Sequence, residues 1–173
     1  MISLCIRNIM PSDDAALAII IRGALKEFGA NKPGTVYYDD STDHLSDLFQ
    51  TPGSSYFVAE EDGRILGGTG IFPSDGLPAG VCELVKMYLH HDARGKGLGW
   101  KLIETAIGYA KQSGYHKVYI ESMPELRKAV SIYEKFGFTH LGGPMGNTGH
   151  FGCDVWMIKD LSAAEDISET NTK

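Results

Sequence analysis

A glycine-rich segment, Arg94-Gly95-Lys96-Gly97-Leu98-Gly99, contains the residue types of a phosphate-binding loop. Glycines allow the main chain to approach a ligand closely, and the first N–H groups of a following helix have no partners of their own. A diphosphate can accept hydrogen bonds from these groups, while the helix dipole and the side chains of Arg94 and Lys96 add positive charge. The segment therefore predicts a binding site for a pyrophosphate.

Two widespread nucleotide-binding loops do not fit the same residues. A Walker A loop that begins at Gly95 needs glycine at the position of Trp100 and serine or threonine at that of Leu102. The dinucleotide fingerprint G-x-G-x-x-G fails because Trp100 or Leu102 takes the place of its last glycine. The sequence thus disfavours nucleotide hydrolysis and hydride transfer.

A second segment downstream completes a known pattern. The loop reads R-x-x-G-x-G, and residues 129–138 read A-x-x-x-Y-x-x-x-G-F around Tyr133. In this order the two segments resemble the acetyl-CoA loop and the second signature of the GNAT superfamily of acyl-CoA N-acyltransferases. The chain departs from the superfamily pattern at Leu126, where asparagine is common, and at His91, where proline is usual.

The resemblance implies an N-acetyltransferase that moves the acetyl group of acetyl-CoA directly to a primary amine. The cofactor-binding residues that it implies are Met87, Tyr88, Leu89, Arg94, Gly95, Lys96, Gly97, Leu98, Gly99, Trp100 and Lys135. Acetyl-CoA is the expected co-substrate, and no metal is expected. Two alternatives stay open: a non-catalytic acyl-CoA-binding module, and a transferase for a longer acyl chain.

Tyr133 and Glu83 are the candidate catalytic residues. Tyr133 matches the superfamily's tyrosine that protonates the departing thiolate, a transfer that reference pKa values of ~10 and ~8.5 make uphill by about 2 kcal/mol. Glu83 is the candidate base for the amine, because a carboxylate among aliphatic side chains should have a raised pKa. A Glu83 that merely pairs with an arginine or a helix N-terminus is the structural alternative, and Glu121 is a less favoured base.

The acceptor pocket should be built from the segments that least resemble the superfamily, 28–38 and 142–154. Asn147, His150 and Tyr38 are the candidate acceptor-binding residues, with Asp154 on the same glycine-rich backbone. A flexible loop without a binding role is the alternative. Amino acids, polyamines, aminoglycosides and protein amines all remain open as acceptors, because a fold does not dictate its substrate.

The histidine and cysteine positions argue against a metal centre. His90 and His91 are adjacent at the end of a predicted strand, so they are expected to point to opposite sides. Cys5, Cys82 and Cys153 show no metal-ligand spacing and cannot all pair, which favours reduced thiols. Cys153 is also a candidate nucleophile for a ping-pong route, although direct transfer needs no acyl-enzyme.

Composition limits the possible partners and the compartment. The 173 residues suit one domain, predicted over 1–160, followed by a polar tail over 161–173 that is expected to be disordered. The net charge of −6 disfavours nucleic acid as a partner. Without a basic stretch and a long apolar segment, the sequence predicts a cytoplasmic protein that does not bind a membrane, as a monomer or homodimer.

Alternation of apolar residues predicts that the loop follows a strand. In residues 81–89, every second side chain is expected on one face, so that Glu83 lies with Val85, Met87 and Leu89. A helix over 100–111 and a strand over 117–121 then complete a βαβ unit.

The other segments complete an α/β fold. Further strands are predicted over 5–10, 56–60, 65–72, 138–141 and 155–158, and further helices from Ser12 or Asp13, from Ser41 or Thr42, and over 125–136. The last helix carries Tyr133 on its apolar face, and Asp62-Gly63 is typical of a hairpin turn. Together these elements predict a mixed, mostly antiparallel sheet of six or seven strands flanked by about four helices, as the resemblance also implies.

Overall fold

The structure, a computed structural model, describes residues 3–162 of the chain. The predicted tail lies outside them apart from Leu161 and Ser162, and the Leu161 N–H donates to the His116 carbonyl. No helix within residues 3–162 is long and apolar enough to cross a membrane.

A seven-stranded sheet in the order β1-β2-β3-β4-β5-β7-β6 forms the centre of the fold. Its strands are β1 (Leu4–Asn8), β2 (Ser55–Glu61), β3 (Arg64–Phe72), β4 (Val81–Leu89), β5 (Lys117–Ser122), β6 (Thr139–His140) and β7 (Val155–Asp160). The helices are α1 (Asp14–Glu27), α2 (Leu45–Leu48), α3 (Leu98–Gln112) and α4 (Arg127–Lys135). Among the strands of residues 3–162, only β4 and β5 pair in parallel. The predicted mixed, mostly antiparallel sheet is therefore confirmed.

The hairpin between β2 and β3 turns at Asp62-Gly63, as the sequence predicts. Both residues have positive φ, 50° for Asp62 and 83° for Gly63. A tight turn of this kind needs positive φ at both central residues, which aspartate and glycine adopt more readily than most residues.

Apolar side chains bury the sheet on both faces. Leu17, Ile21 and Leu25 recur every fourth residue along α1 and are fully buried with α2 against one face. Leu102 and Ala106 of α3 are fully buried against the other face, to which α4 also contributes. The sheet thus holds its central strands, and the residues at their ends, between two apolar layers.

A β-bulge at Lys86 interrupts the alternation predicted for β4. Lys86 has a φ of 51°, and the register against β3 shifts there, so that two residues of β4 stand opposite one of β3. Met87 and Leu89 consequently pack with the α3 side of the core, whereas Val85 packs on the α1 side. The prediction that Met87 and Leu89 share a face with Glu83 is wrong, because the extra residue moves them to the opposite face.

Strands β4 and β5 separate beyond Glu83. Their parallel pairing covers Val81–Glu83 against Lys117–Tyr119, although both strands continue further. Within the described residues, one edge of β4 over 84–89 therefore has no strand partner for its N–H and C=O groups. An extended ligand that carries amide groups can pair with such an edge.

Candidate active site

The separation of β4 and β5 opens onto a cavity of about 680 Å³. The predicted site residues that line it are Glu83, Met87, Tyr88, Leu89, Arg94, Gly95, Gly97, Gly99, Trp100, Tyr133, Lys135 and His150. Lys96 and Leu98 instead line a separate cavity of about 90 Å³. Tyr38 and Asn147 line neither of these two cavities. The roles predicted for all of these residues stay predictions.

The glycine-rich loop owes its shape to backbone conformation. Gly95 and Gly97 have φ of 75° and 77°, and α3 begins at Leu98 directly after Gly97. A Cβ built on Gly95 or Gly97 would meet no atom within 4 Å, whereas one on Gly99 would lie 3.1 Å from Met87 Cε. The first two glycines thus permit the turn beside open space, and Gly99 permits close packing of α3 on β4.

Arg94 connects this loop to the end of α1. Its guanidinium donates to the Leu89 carbonyl at 3.1 and 3.2 Å and pairs with Glu27 at 2.9 Å. It also lies 4.8 Å from the ring centroid of Phe28. Arg94 therefore fixes the loop against β4 and α1, and the side-chain phosphate contact that the sequence predicts for it stays a prediction.

Tyr133 is buried in α4 and lines the cavity. Its ring packs edge-on against Phe138, with 6.0 Å between the centroids. Burial raises the pKa of Tyr133 well above its ordinary value. Tyr133 holds its proton more tightly than the reference value suggests, so donation to a thiolate requires that the thiolate be desolvated as well.

Glu83 is 3% exposed and accepts a hydrogen bond from the hydroxyl of Ser74. The pKa of Glu83 is raised to about 7 in total. Burial is the largest cause and the neighbouring Glu121 also raises the pKa, whereas the hydrogen bond from Ser74 lowers it. The donor to Glu83 is thus a serine hydroxyl rather than an arginine or a helix N-terminus. A carboxylate with this pKa is partly ionised near neutral pH and basic enough to accept a proton.

Glu121 has the opposite electrostatic character. Its side chain on β5 is 4% exposed and accepts hydrogen bonds from the hydroxyls of Tyr119 at 2.8 Å and Thr148 at 2.5 Å. His150 Nδ1 lies 3.6 Å from the same carboxylate. Burial alone would raise the pKa of Glu121, but the hydrogen bonds of these three partners hold it below its ordinary value. Glu121 is therefore the weaker base of the two.

His150 belongs to a chain of charged side chains that are buried or partly buried. Its Nε2 lies 2.9 Å from Asp39 Oδ2, and Lys86 Nζ lies 3.3 Å from the same oxygen. Burial would lower the pKa of His150, but hydrogen bonds to Asp39 and Glu121 outweigh burial and raise it to about 9. His150 is consequently an imidazolium at neutral pH.

Asp39 and Lys86 are not among the residues predicted from the sequence. A signal for Lys86 existed, because a lysine inside an otherwise buried strand needs a partner, and its side chain is 4% exposed. Asp39 carried no signal, since it stands in a loop with other acidic residues.

Glu83, Glu121 and His150 place one ligand atom each within 4.8 Å of one another. An imidazole and two carboxylates can hold zinc. The imidazolium form of His150, however, has no free lone pair for a metal. That the protein needs no metal stays a prediction.

The expectation that His90 and His91 point to opposite sides is wrong. Their ring centroids lie 4.2 Å apart, and their ligand atoms lie within 4.8 Å of one another and of Asp92. The reason is that β4 ends at Leu89 and a 3-10 turn begins at His91, where strand alternation no longer applies. Arg64 pairs with Asp92 at 3.2 Å and already places a positive charge there.

Cys153 lines the cavity but is poorly suited to nucleophilic attack. Burial raises the pKa of its thiol to about 12. The thiolate is the reactive form of cysteine, and it is scarce at neutral pH when the pKa is this high. The site therefore favours direct transfer over a ping-pong route through Cys153.

Comparisons with known proteins identify the family. The profile of the Acetyltransferase (GNAT) family matches residues 23–138. The uncharacterized N-acetyltransferase YjgM of Escherichia coli K12 is 38% identical over 157 residues, which are 90% of this chain and 93% of that protein. N-acetyltransferase 8B of Homo sapiens is 28% identical over 122 residues, 66% of this chain and 54% of the human protein.

Solved structures share the fold. An acetyltransferase of the GNAT family from Staphylococcus aureus Mu50 superimposes with a TM-score of 0.77 at 17% identity, covering 92% of this chain and 99% of that one. The structure of YncA from Salmonella typhimurium with its cofactor acetyl-CoA gives 0.72 at 23% identity, covering 95% and 99%. Because the family profile covers more than half of the sequence, this chain belongs to the acetyltransferase (GNAT) family and is an acyltransferase.

Proposed function

We propose that this protein transfers the acetyl group of acetyl-CoA directly to a primary amine. The observation that carries the proposal is that one cavity joins the glycine-rich loop, the unpaired edge of β4, Tyr133 and Glu83. These are the parts that a pyrophosphate, an amide-containing arm, a thiolate and an amine each require. Acetyl-CoA supplies the thioester carbonyl that the amine attacks.

The cofactor would bind along the α3 side of the cavity. Backbone N–H groups at the start of α3 suit the pyrophosphate, and the open space beside Gly95 and Gly97 leaves room for it. The backbone groups of Met87 and Leu89 suit the amides of the pantetheine arm. Trp100 stacks on Phe136 at 3.8 Å between centroids and forms an aromatic wall at the same end.

Proton movement involves Glu83 and Tyr133. Ionised Glu83 accepts a proton from the incoming ammonium, directly or through water, because only the neutral amine has the lone pair needed to attack. The new C–N bond replaces the C–S bond, and Tyr133 donates its proton to the departing sulfur. The nitrogen loses a second proton to water as the amide forms, and Tyr133 regains a proton from water. Glu83 then releases its proton to solvent, so that one proton is released in each turnover.

Acetyl-CoA titration combined with turnover tests the proposal. Isothermal titration should show binding of acetyl-CoA, and thiol release should appear with members of a panel of primary amines. Binding without turnover would favour the acyl-CoA-binding module, and preference for a longer acyl-CoA would favour the other alternative. Absence of binding would refute the proposal.

Gly97→Ala and Gly114→Ala form a matched pair for the cofactor site. Both glycines have positive φ, and a Cβ on either meets no atom within 4 Å, so the backbone strain should be similar. Only Gly97 lines the cavity. We expect Gly97→Ala to weaken acetyl-CoA binding by about tenfold or more and Gly114→Ala to leave it unchanged. Equal effects of the two substitutions on acetyl-CoA affinity would show that the glycine-rich loop does not belong to the binding site.

A further inference from the structure

Two loops meet across the end of the cavity that contains Glu83. One is the first loop, residues 29–39, between α1 and α2, and the other is the strap, residues 145–153, between β6 and β7. Thr35 and Val36 of the first loop and His150 and Cys153 of the strap line the cavity. The acceptor end of the cavity is therefore built from both.

Three contacts join the strap to the first loop. The Gly152 N–H donates to the Gly34 carbonyl at 2.9 Å, and His150 pairs with Asp39 at 2.9 Å. The ring of Phe151 lies over Gly34 so closely that a Cβ on Gly34 would be 2.6 Å from it. The two loops thus touch through backbone, charge and apolar surface at successive residues of the strap.

The strap is also fixed to the sheet side of the cavity. The Met145 N–H donates to the Tyr119 hydroxyl at 2.9 Å, and the Thr148 hydroxyl donates to Glu121. The Asn147 N–H donates to the Asp75 carbonyl at 2.8 Å, in the loop before β4. Exposed Asn147 thus contributes its backbone to the attachment of the strap.

The first loop is tied to the opposite wall as well. Lys32 pairs with Glu125 at 3.0 Å, and Glu125 stands just before α4 and lines the cavity. The first loop consequently joins the strap on one side to the start of α4 on the other. Glu83 at the same end of the cavity is 3% exposed, and the Glu121 side chain is 4% exposed.

From these contacts we infer that the acceptor is a small free amine and not the side-chain amine of a lysine within a polypeptide. Such a polypeptide must continue out of the site on both sides of its reacting lysine, and the joined loops occupy that path. The inference rests on the proposed function and specifies its substrate class. It assigns Gly34 and the strap to acceptor selection.

Two CoA conjugates test the inference without knowledge of the natural acceptor. In both conjugates, an acetyl spacer joins the CoA sulfur to the nitrogen of an amine. That amine is propylamine in one conjugate and the lysine side chain of an extended peptide in the other. We expect isothermal titration to show the propylamine conjugate binding at least about tenfold more tightly. Equal affinity for the two conjugates would overturn the inference.

Gly34→Ala and Gly29→Ala supply the matched control. Both glycines have positive φ, 76° and 68°, but only a Cβ on Gly34 collides with the strap, while one on Gly29 meets no atom within 4 Å. Gly34→Ala should reduce the preference for the small conjugate to about threefold or less, and Gly29→Ala should preserve it. A preference unchanged in Gly34→Ala would also overturn the inference.

A second variant covers the case in which Gly34→Ala does not fold. Phe151→Ala removes the ring over Gly34 without backbone strain, and Phe151 is 80% exposed, so its loss should not damage the core. Phe151→Ala should also reduce the preference for the propylamine conjugate, and it should speed hydrogen exchange of the backbone amides in the strap. Wild-type protein that does not bind acetyl-CoA at all would instead refute the proposed function, which separates the two failures.

Discussion

The two ends of the cavity are built in different ways. The end proposed to bind the cofactor is formed around one continuous segment, 94–99, which connects a strand to the first residues of the next helix in sequence. The acceptor end depends on contacts between distant residues, such as the pair His150 and Asp39, which are 111 positions apart. Backbone conformation therefore dominates the first end, and long-range electrostatics dominates the second.

Glu83 and Glu121 show the same contrast within the acceptor end. Both carboxylates are almost completely buried, yet burial raises the pKa of Glu83 to about 7 while hydrogen bonds hold that of Glu121 low. The difference is the number of donors around each group, since Glu121 has several and Glu83 has one. Burial alone does not identify a base, because its partners decide the sign of the shift.

Replacement of Glu83 or Glu121 by glutamine should give the largest difference in activity between two variants. Glu83→Gln should lower kcat/KM by roughly a thousandfold near pH 7 and remove the loss of activity below the Glu83 pKa of about 7, because the base must be ionised. Glu121→Gln should mainly raise the KM for the acceptor and should keep the loss of activity at low pH. pH profiles of both variants test this, and an intact acid limb in Glu83→Gln would assign the base elsewhere.

Loss of the His150 charge should change stability in a pH-dependent way. Its pKa rises from 6.5 to about 9 on folding, so its contribution is complete below pH 6.5 and is lost as the pH rises through about 9. The groups facing it are Asp39, Glu121 and Glu83, with Lys86 on the same aspartate. His150→Gln should lower the free energy of unfolding by on the order of 3 kcal/mol just below pH 6.5, and by little above pH 9.

Urea unfolding across this pH range measures the effect, and His140→Gln provides its control. His140 also pairs with a carboxylate, Glu134 at 2.7 Å, but both side chains are more than half exposed. His140→Gln should show no comparable pH dependence. A pH-independent cost in His150→Gln would contradict an imidazolium at this position.

Tyr133→Phe should produce a smaller effect than the change at Glu83. The ring would keep its packing against Phe138, so stability and acetyl-CoA affinity should be preserved. kcat should fall by about tenfold, less than is usual on loss of a general acid, because a thiolate leaves readily without a proton. Full kcat in this variant would assign Tyr133 a packing role only.

Cys153→Ala should have the smallest effect. A thiol whose pKa burial raises to about 12 supplies little thiolate, so turnover should stay within about threefold of the wild type. Initial-rate patterns should be sequential rather than ping-pong. Loss of turnover together with trapping of an acetylated Cys153 in the wild type would contradict direct transfer.

The architecture and the glycine-rich loop between β4 and α3 could be predicted from the sequence because those features are local. Turn chemistry placed the hairpin at Asp62-Gly63, and periodicity placed β4, α3 and β5 within a few residues of their observed bounds. Prediction from the sequence failed where a single residue changed the local geometry. The bulge at Lys86 reversed the faces of Met87 and Leu89, and the 3-10 turn after Leu89 brought His90 and His91 together.

The sequence by itself determined the family, the order of the elements and the glycine-rich loop, because each depends on residues that are near one another in the chain. Only the tertiary structure decided which of the two glutamates is the stronger base and what holds the strap in place. Those properties depend on Asp39, Lys86 and His150, which three different elements bring together. Electrostatic energies are set by distance and burial in space, and sequence separation carries no information about either.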